Sequence, residues 1–75
     1  MIEPGKNTEC GRLLEVMRHR RISTIKAAAD LGITSFHRRL TDLRLMGWTI
    51  NQVECEKLDE RGKRVKHWNE YWVET

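Results

Sequence analysis

The stretch Ser23–Trp48, STIKAAADLGITSFHRRLTDLRLMGW, predicts two short helices joined by a tight turn. The first helix covers about residues 24–31, begins at a Ser/Thr pair able to supply an N-cap oxygen, and ends at Gly32. The second covers residues 35–47 and again follows cap-forming residues. Ile33 is apolar in an otherwise polar turn, so we expect it to fill the angle between the helices.

A helix, a short turn containing Gly and a second helix form a helix-turn-helix, whose second helix typically enters the DNA major groove. At ~100° per residue, the buried stripe of the second helix comprises Phe36, Leu40, Leu43 and Gly47. Its outward side offers hydroxyl, imidazole and guanidinium groups, which hydrogen-bond base edges and phosphates. We predict that the DNA-contacting residues of this helix are Thr34, Ser35, His37, Arg38, Arg39 and Thr41. An ordinary amphipathic helix with a solvated polar face shows the same pattern. The helix alone therefore does not distinguish a DNA-contacting face from a solvated one, and the rest of the chain is needed.

The chain after Trp48 predicts a β-hairpin. Residues 48–55 favour a strand in imperfect alternation, and the slip near residues 51–52 predicts a bulge. Residues 59–63, DERGK, carry the turn signal, and residues 65–73 form the return strand with large rings on both faces. We therefore expect the hairpin to pack against the helices, because a hairpin of this polarity does not stand alone.

The chain before the helix-turn-helix predicts a first helix over about residues 8–19, with a buried stripe of Cys10, Leu13, Leu14 and Met17. Residues 21–23 predict a short extended strand. In the helix over residues 24–31, the positions available for packing are Ile25, Ala28, Ala29 and Leu31. The predicted core that joins these elements comprises Leu13, Met17, Leu40, Leu43, Trp48, Ile50 and Tyr71.

The pattern T-x-x-x-A-x-x-L-G-I, followed by R-L-x-x-L-R-x-x-G-W-x-I, resembles the small winged helix-turn-helix proteins common in phages and prophages. The residues that carry the resemblance are Thr24, Ala28, Leu31, Gly32, Ile33, Arg39, Leu40, Leu43, Arg44, Gly47, Trp48 and Ile50. The resemblance covers roughly residues 10–74, and a closing strand at residues 71–73 also fits. It implies an α+β winged helix-turn-helix, with three helices followed by a β-hairpin wing, and it implies DNA binding.

Length and charge fit one nucleic-acid-binding domain. The 75 residues divide into a flexible arm over residues 1–7 and a domain over residues 8–75. The net charge is +3, and the positive residues cluster at residues 12–26 and 61–66. We predict further DNA contacts from the hairpin tip, through Arg61, Lys63, Arg64 and Lys66. Asp59 and Glu60 beside the tip oppose this prediction, because they would repel the same phosphates.

Several function classes are excluded by the pattern. No run of 18 apolar residues is present and the N-terminal residues lack an apolar signal region, so we expect a cytoplasmic protein that does not contact the membrane. The four possible metal ligands, Cys10, His19, Cys55 and His67, lack paired spacing, and glycine-rich phosphate loops are absent. We therefore predict no metal, no cofactor and no enzymatic activity.

The sequence predicts a protein that binds double-stranded DNA and acts as a small transcriptional regulator, encoded by a phage on the resemblance above. Two alternatives stay open. One is a protein–protein adaptor, in which Trp68, Trp72 and Leu45 form an exposed apolar patch. The other is an architectural or recombination accessory DNA binder, or an RNA binder. A homodimer or a protein partner is also compatible with a domain of this size.

Overall fold

The computed structural model describes residues 1–74. Its elements are α1 Glu9–His19, β1 Ile22–Ser23, α2 Thr24–Leu31, α3 Phe36–Leu45, β2 Ile50–Leu58 and β3 Arg64–Val73. The three strands form one antiparallel sheet in the order β1-β3-β2, which places β3 in the centre. The order of elements is that of a winged helix-turn-helix, so the predicted α+β fold is confirmed.

The core is formed where one face of the sheet meets α1 and α3. Eleven apolar or aromatic side chains within residues 1–74 are at most 4 % exposed and form the centre of the core, and Cys10 joins them at 6 %: Leu13, Leu14, Met17, Ile22, Ala27, Ile33, Phe36, Leu40, Leu43, Tyr71 and Val73.

 
Of the predicted core, Leu13, Met17, Leu40, Leu43 and Tyr71 are buried, whereas Trp48 and Ile50 are only partly buried at its edge.

The residues predicted to cap α2 and to fill the turn of the helix-turn-helix have these roles in the structure. The Ser23 hydroxyl accepts a hydrogen bond from the Lys26 backbone N–H and caps α2, as predicted. At the other end Gly32 adopts φ +67°, a left-handed conformation that favours glycine, and its N–H bonds the Ala28 carbonyl. Ile33 follows with no exposed surface, so its predicted position between the helices is confirmed.

The predicted packing face of α2 is confirmed at Leu31, which packs partly buried against the core, and is wrong at its other three positions. Ala27 is its fully buried residue, whereas Ile25 is 65 % exposed and both Ala28 and Ala29 are exposed. Three successive alanines carry no periodicity, so the sequence leaves the rotation of this helix undetermined. The small Ala27 side chain permits close packing on the core.

The predicted bulge near residues 51–52 is also wrong. The pairing of β2 with β3 is regular from Ile50 to Lys57, and the register shifts only between Lys57 and Leu58. Since Lys57 pairs with Lys66 and Leu58 with Arg64, the extra residue is Val65, next to the turn.

Residues 1–7 contact the domain through backbone groups and through the Glu3 carboxylate, which pairs with the Arg18 guanidinium at 2.8 Å. The Ile2 N–H donates to the Met46 carbonyl, and the Ile2 carbonyl accepts from Trp48 Nε1, each at 2.8 Å. The arm crosses α1 at Gly11, where any side chain would overlap the Gly5 carbonyl. Gly11 therefore permits this crossing, and the flexibility of the arm stays a prediction.

Candidate nucleic-acid interface

The N-terminus of α3 is exposed and carries no side-chain cap. Ser35 occupies the N-cap position, but its hydroxyl makes no capping hydrogen bond, contrary to the capping role expected for it. The backbone N–H groups of the first helical turn therefore lack that partner, and such groups attract anions. Thr34, Ser35 and Arg38 are all exposed around this end. The helix thus presents two hydroxyls and a guanidinium beside a positive helix end.

His37 is fixed beside this end by two aromatic neighbours. Its ring lies edge-on to Phe36 at 5.6 Å and to Tyr71 at 6.1 Å between ring centroids. Both neighbours are buried, whereas His37 itself is exposed. The core therefore positions an imidazole at the junction between α3 and the sheet.

The remaining predicted residues of α3 are engaged within the protein. Thr41 Oγ1 donates a hydrogen bond to the His37 carbonyl at 3.1 Å. Arg39 is half-buried on the other flank and forms an ion pair of 3.3 Å with Asp42. The structure therefore brings Thr34, Ser35, His37 and Arg38 together and holds Arg39 apart from them.

Asp59 shapes the tip of the hairpin. Its carboxylate accepts hydrogen bonds from the backbone N–H groups of Arg61 and Lys63, both at 2.9 Å. The Gly62 N–H donates to the Asp59 carbonyl at 3.0 Å, and Gly62 adopts φ +79°. Asp59, one of the two acidic residues that oppose DNA contact at the tip, therefore stabilises the conformation of the turn.

The basic residues of the hairpin differ in their partners. Arg61 and Lys63 are exposed, and within residues 1–74 neither forms an ion pair. Arg64 pairs with Glu56 at 3.2 Å, and Lys66 lies 5.4 Å from the centroid of the Trp68 ring. The tip therefore offers two unpaired cations, and the stem offers two whose charges are partly engaged.

A family model described as "Winged helix-turn-helix domain" matches residues 8–74. The chain belongs to this family. Membership indicates DNA binding, which is the usual role of such domains. Comparisons with curated proteins and with solved structures give no significant match.

Within this winged helix-turn-helix, two positive side chains near the interface lie outside the set of predicted DNA contacts. Arg44 is exposed on α3, and among residues 1–74 it forms no ion pair. Lys57 lies directly opposite Lys66 in the hairpin register. Centring the two strands on the DERGK turn could have placed these lysines near one another from the sequence.

The apolar patch of the adaptor alternative is not formed by its three predicted residues. Leu45 is 81 % exposed on α3, which packs against the Tyr71 face of the sheet. Trp68 and Trp72 alternate with Tyr71 along β3 and so point to the opposite face. The leucine and the two indoles therefore lie on different sides of the domain.

The pKa of each of the two thiols in this winged helix-turn-helix is raised above its ordinary value. Burial raises the pKa of Cys10, and the nearby Asp42 carboxylate adds to the rise. Partial burial also raises the pKa of Cys55, with a further contribution from Glu70. Within residues 1–74, no group of three or more His, Cys, Asp or Glu side chains is arranged to hold a metal ion, and no helix is long and apolar enough to cross a membrane.

Proposed function

We propose that this winged helix-turn-helix binds double-stranded DNA in a sequence-specific manner, with α3 in the major groove and the hairpin as a wing. The observation that carries the proposal is the exposed, uncapped start of α3, where Ser35 and Arg38 are free to contact bases and phosphates. Helix-turn-helix domains read base edges with the N-terminal residues of their second helix.

The proposal divides the interface into a base-reading part and a phosphate-contacting part. Arg38 is exposed at the middle of the outward face of α3, so it is the candidate for bidentate hydrogen bonds to guanine. Lys63 lies at the hairpin tip, where a long cationic side chain meets phosphates without regard to sequence. His37, Thr34 and Ser35 complete the contacts of α3, and Arg61, Arg64 and Lys66 those of the wing.

Loss of each part affects salt dependence and specificity differently. A base-reading Arg contributes about 1–3 kcal/mol of discrimination, so Arg38→Ala should lower the ratio of specific to random affinity. A phosphate-contacting Lys acts on every duplex alike. Lys63→Ala should therefore weaken binding to both duplexes and reduce the slope of log K against log salt by about 0.9.

The test begins with selection of bound duplexes from a random library. Fluorescence anisotropy then measures the selected and a random duplex at several salt concentrations for the wild type, Arg38→Ala and Lys63→Ala. Lys6→Ala is the matched control, since it removes one positive charge from the exposed arm. If Arg38→Ala keeps the full affinity ratio, α3 does not read the bases. If Lys63→Ala and Arg64→Ala bind as the wild type at low salt, the hairpin does not act as a DNA-contacting wing.

We further propose that the protein is a small cytoplasmic transcriptional regulator of phage type without enzymatic activity. The support is the helix-turn-helix pattern from Thr24 to Ile50, which resembles phage and prophage proteins. A single module of this kind covers about 600–1,000 Å² of protein surface on DNA, so tight binding is expected to use two copies on a repeated site. Sedimentation of the complex with the selected duplex checks this stoichiometry.

A further inference from the structure

The sheet face that points away from the helices carries two indole rings. Tyr71 and Val73 of β3 are buried in the core, so the alternating residues Trp68, Glu70 and Trp72 project from the opposite face. We call this the outer face. Both indoles lie on the central strand and are only half-buried.

Three positive side chains accompany the two rings. The Arg21 guanidinium lies 4.4 Å from the centroid of the Trp72 ring, and the Lys66 ammonium lies 5.4 Å from that of Trp68. Lys57 occupies the position on β2 directly opposite Lys66. Like charges opposite one another in a sheet are destabilising, so stability of the isolated domain does not account for this pair.

The negative charge on the outer face is partly engaged. Glu70 lies between the two indoles and accepts a hydrogen bond from Trp68 Nε1 at 3.1 Å. Glu74 follows the end of β3 and is exposed. The cations of the outer face therefore lie over or beside the rings, while one acid holds an indole in place.

We propose that the outer face binds single-stranded nucleic acid. Unpaired bases stack on the exposed parts of Trp68 and Trp72 or on the Arg21 guanidinium plane, and Arg21, Lys57 and Lys66 contact the phosphates. The two tryptophans are four positions apart on one strand, so their Cα atoms are separated by roughly 13 Å. One extended strand can therefore reach both rings.

The chemistry of the outer face favours this ligand over two others. Bases within a duplex are stacked on their neighbours and leave no free ring face for an indole. An apolar protein surface would have to desolvate three cations to cover the rings, which is costly without opposite charges. A single strand supplies both stacking groups and negative charge. This surface is distinct from the start of α3, so the proposal does not rest on the function proposed for that helix.

The test uses the full chain and fluorescently labelled oligothymidylate and oligouridylate of about 15 nucleotides, which distinguish DNA from RNA as the source of the strand. Lys57→Gln/Lys66→Gln removes two exposed charges of the outer face, and Trp68→Leu removes a stacking ring. The matched control is Arg61→Gln/Lys63→Gln, which removes two charges from the hairpin tip. Circular dichroism and thermal melting verify that each variant is folded.

We expect Trp68→Leu to weaken binding of the single strand by roughly 5- to 140-fold, the range for one lost stacking contact. Lys57→Gln/Lys66→Gln should reduce the slope of log K against log salt by about 1.4. The tip control, Arg61→Gln/Lys63→Gln, should reduce this slope by less than the double lysine variant does. If Trp68→Leu does not fold, the double lysine variant decides alone, because both lysines are exposed.

The proposal is overturned if neither oligonucleotide binds at low salt. It is equally overturned if they bind and the double lysine variant leaves affinity and slope unchanged. Self-association of the wild type that the outer-face variants abolish would assign the surface to a second copy of the chain instead. Arg38→Ala separates this test from that of the proposed function, since it should impair duplex recognition and leave binding of the single strand intact.

Discussion

At its base the hairpin is part of the core, whereas its outer half is open to solvent. Tyr71 and Val73 are 3 % and 4 % exposed and pack under the helices. Every residue from 56 to 67 is exposed. Residues with few buried contacts open locally at a small fraction of the global free energy of unfolding. The base of the hairpin therefore contributes to the stability of the domain, whereas its outer half can hold exposed charged side chains with little effect on that stability.

The largest effect is expected at the centre of the core. Leu40 is 1 % exposed on α3, so Leu40→Ala removes buried methyl groups and leaves a cavity. We expect the free energy of unfolding to fall by about 2–5 kcal/mol, measured by denaturant titration. An unchanged unfolding midpoint would show that the buried stripe of α3 does not contribute to stability as its burial implies.

The two valines of β3 test the comparison within one strand. Val73 is 4 % exposed at the base, whereas Val65 is 58 % exposed beside the turn. Val73→Ala should lower the free energy of unfolding by about 1.5–3 kcal/mol. Val65→Ala should change it by less than about 0.5 kcal/mol. Equal losses in the two variants would mean that the outer half of the hairpin is as tightly coupled to the core as its base.

Two glycines with left-handed backbones provide a second matched pair. Gly32 has φ +67° in the helix-turn-helix and Gly62 has φ +79° in the hairpin turn, and a methyl group at either meets open space. An alanine therefore costs roughly 1–2 kcal/mol through its backbone conformation alone. We expect Gly32→Ala to lower the global unfolding midpoint, while Gly62→Ala chiefly speeds amide hydrogen exchange at the tip. A full global loss from Gly62→Ala would contradict this separation.

The elements with regular periodicity could be predicted from the sequence. The buried stripe of α1, the buried position of Ile33 and the DERGK turn follow from spacing and turn chemistry, and all are found. The predicted stripe of α3 is found at Phe36, Leu40 and Leu43, but it is wrong at Gly47, which is exposed beyond the end of the helix at Leu45. The rotation of α2 could not be predicted, because its alanines do not distinguish one face from another. The position of the bulge was also hidden, since the alternation weakens well before the register shifts.

The candidate interface was predictable only as a set of residue types. The residues near the start of α3 follow from helical phase, but the half-buried pairing of Arg39 with Asp42 depends on how α3 packs. The contacts of Ile2 with Met46 and Trp48 involve backbone groups, which side-chain patterns do not reveal. The role of Asp59 in the turn likewise depends on a loop conformation that composition alone does not fix.

The smallest effect concerns Asp59, where shape and charge can be separated. Its carboxylate accepts from two backbone N–H groups, so Asp59→Ala should loosen the tip at a cost of about 0.5–2 kcal/mol, comparable to the loss of a helix cap.

Asp59→Asn keeps an acceptor oxygen for the same bonds and removes the negative charge. If the tip approaches phosphates, Asp59→Asn should strengthen binding of random duplex DNA by roughly 1.5- to 5-fold at low salt, and the gain should vanish as salt rises. Anisotropy titrations of both variants measure this, and amide exchange at Arg61 and Lys63 reports whether the turn is kept. If Asp59→Asn keeps the turn intact and binds duplex DNA with unchanged affinity, the tip does not lie near the DNA backbone. The proposed duplex interface would then be reduced to α3.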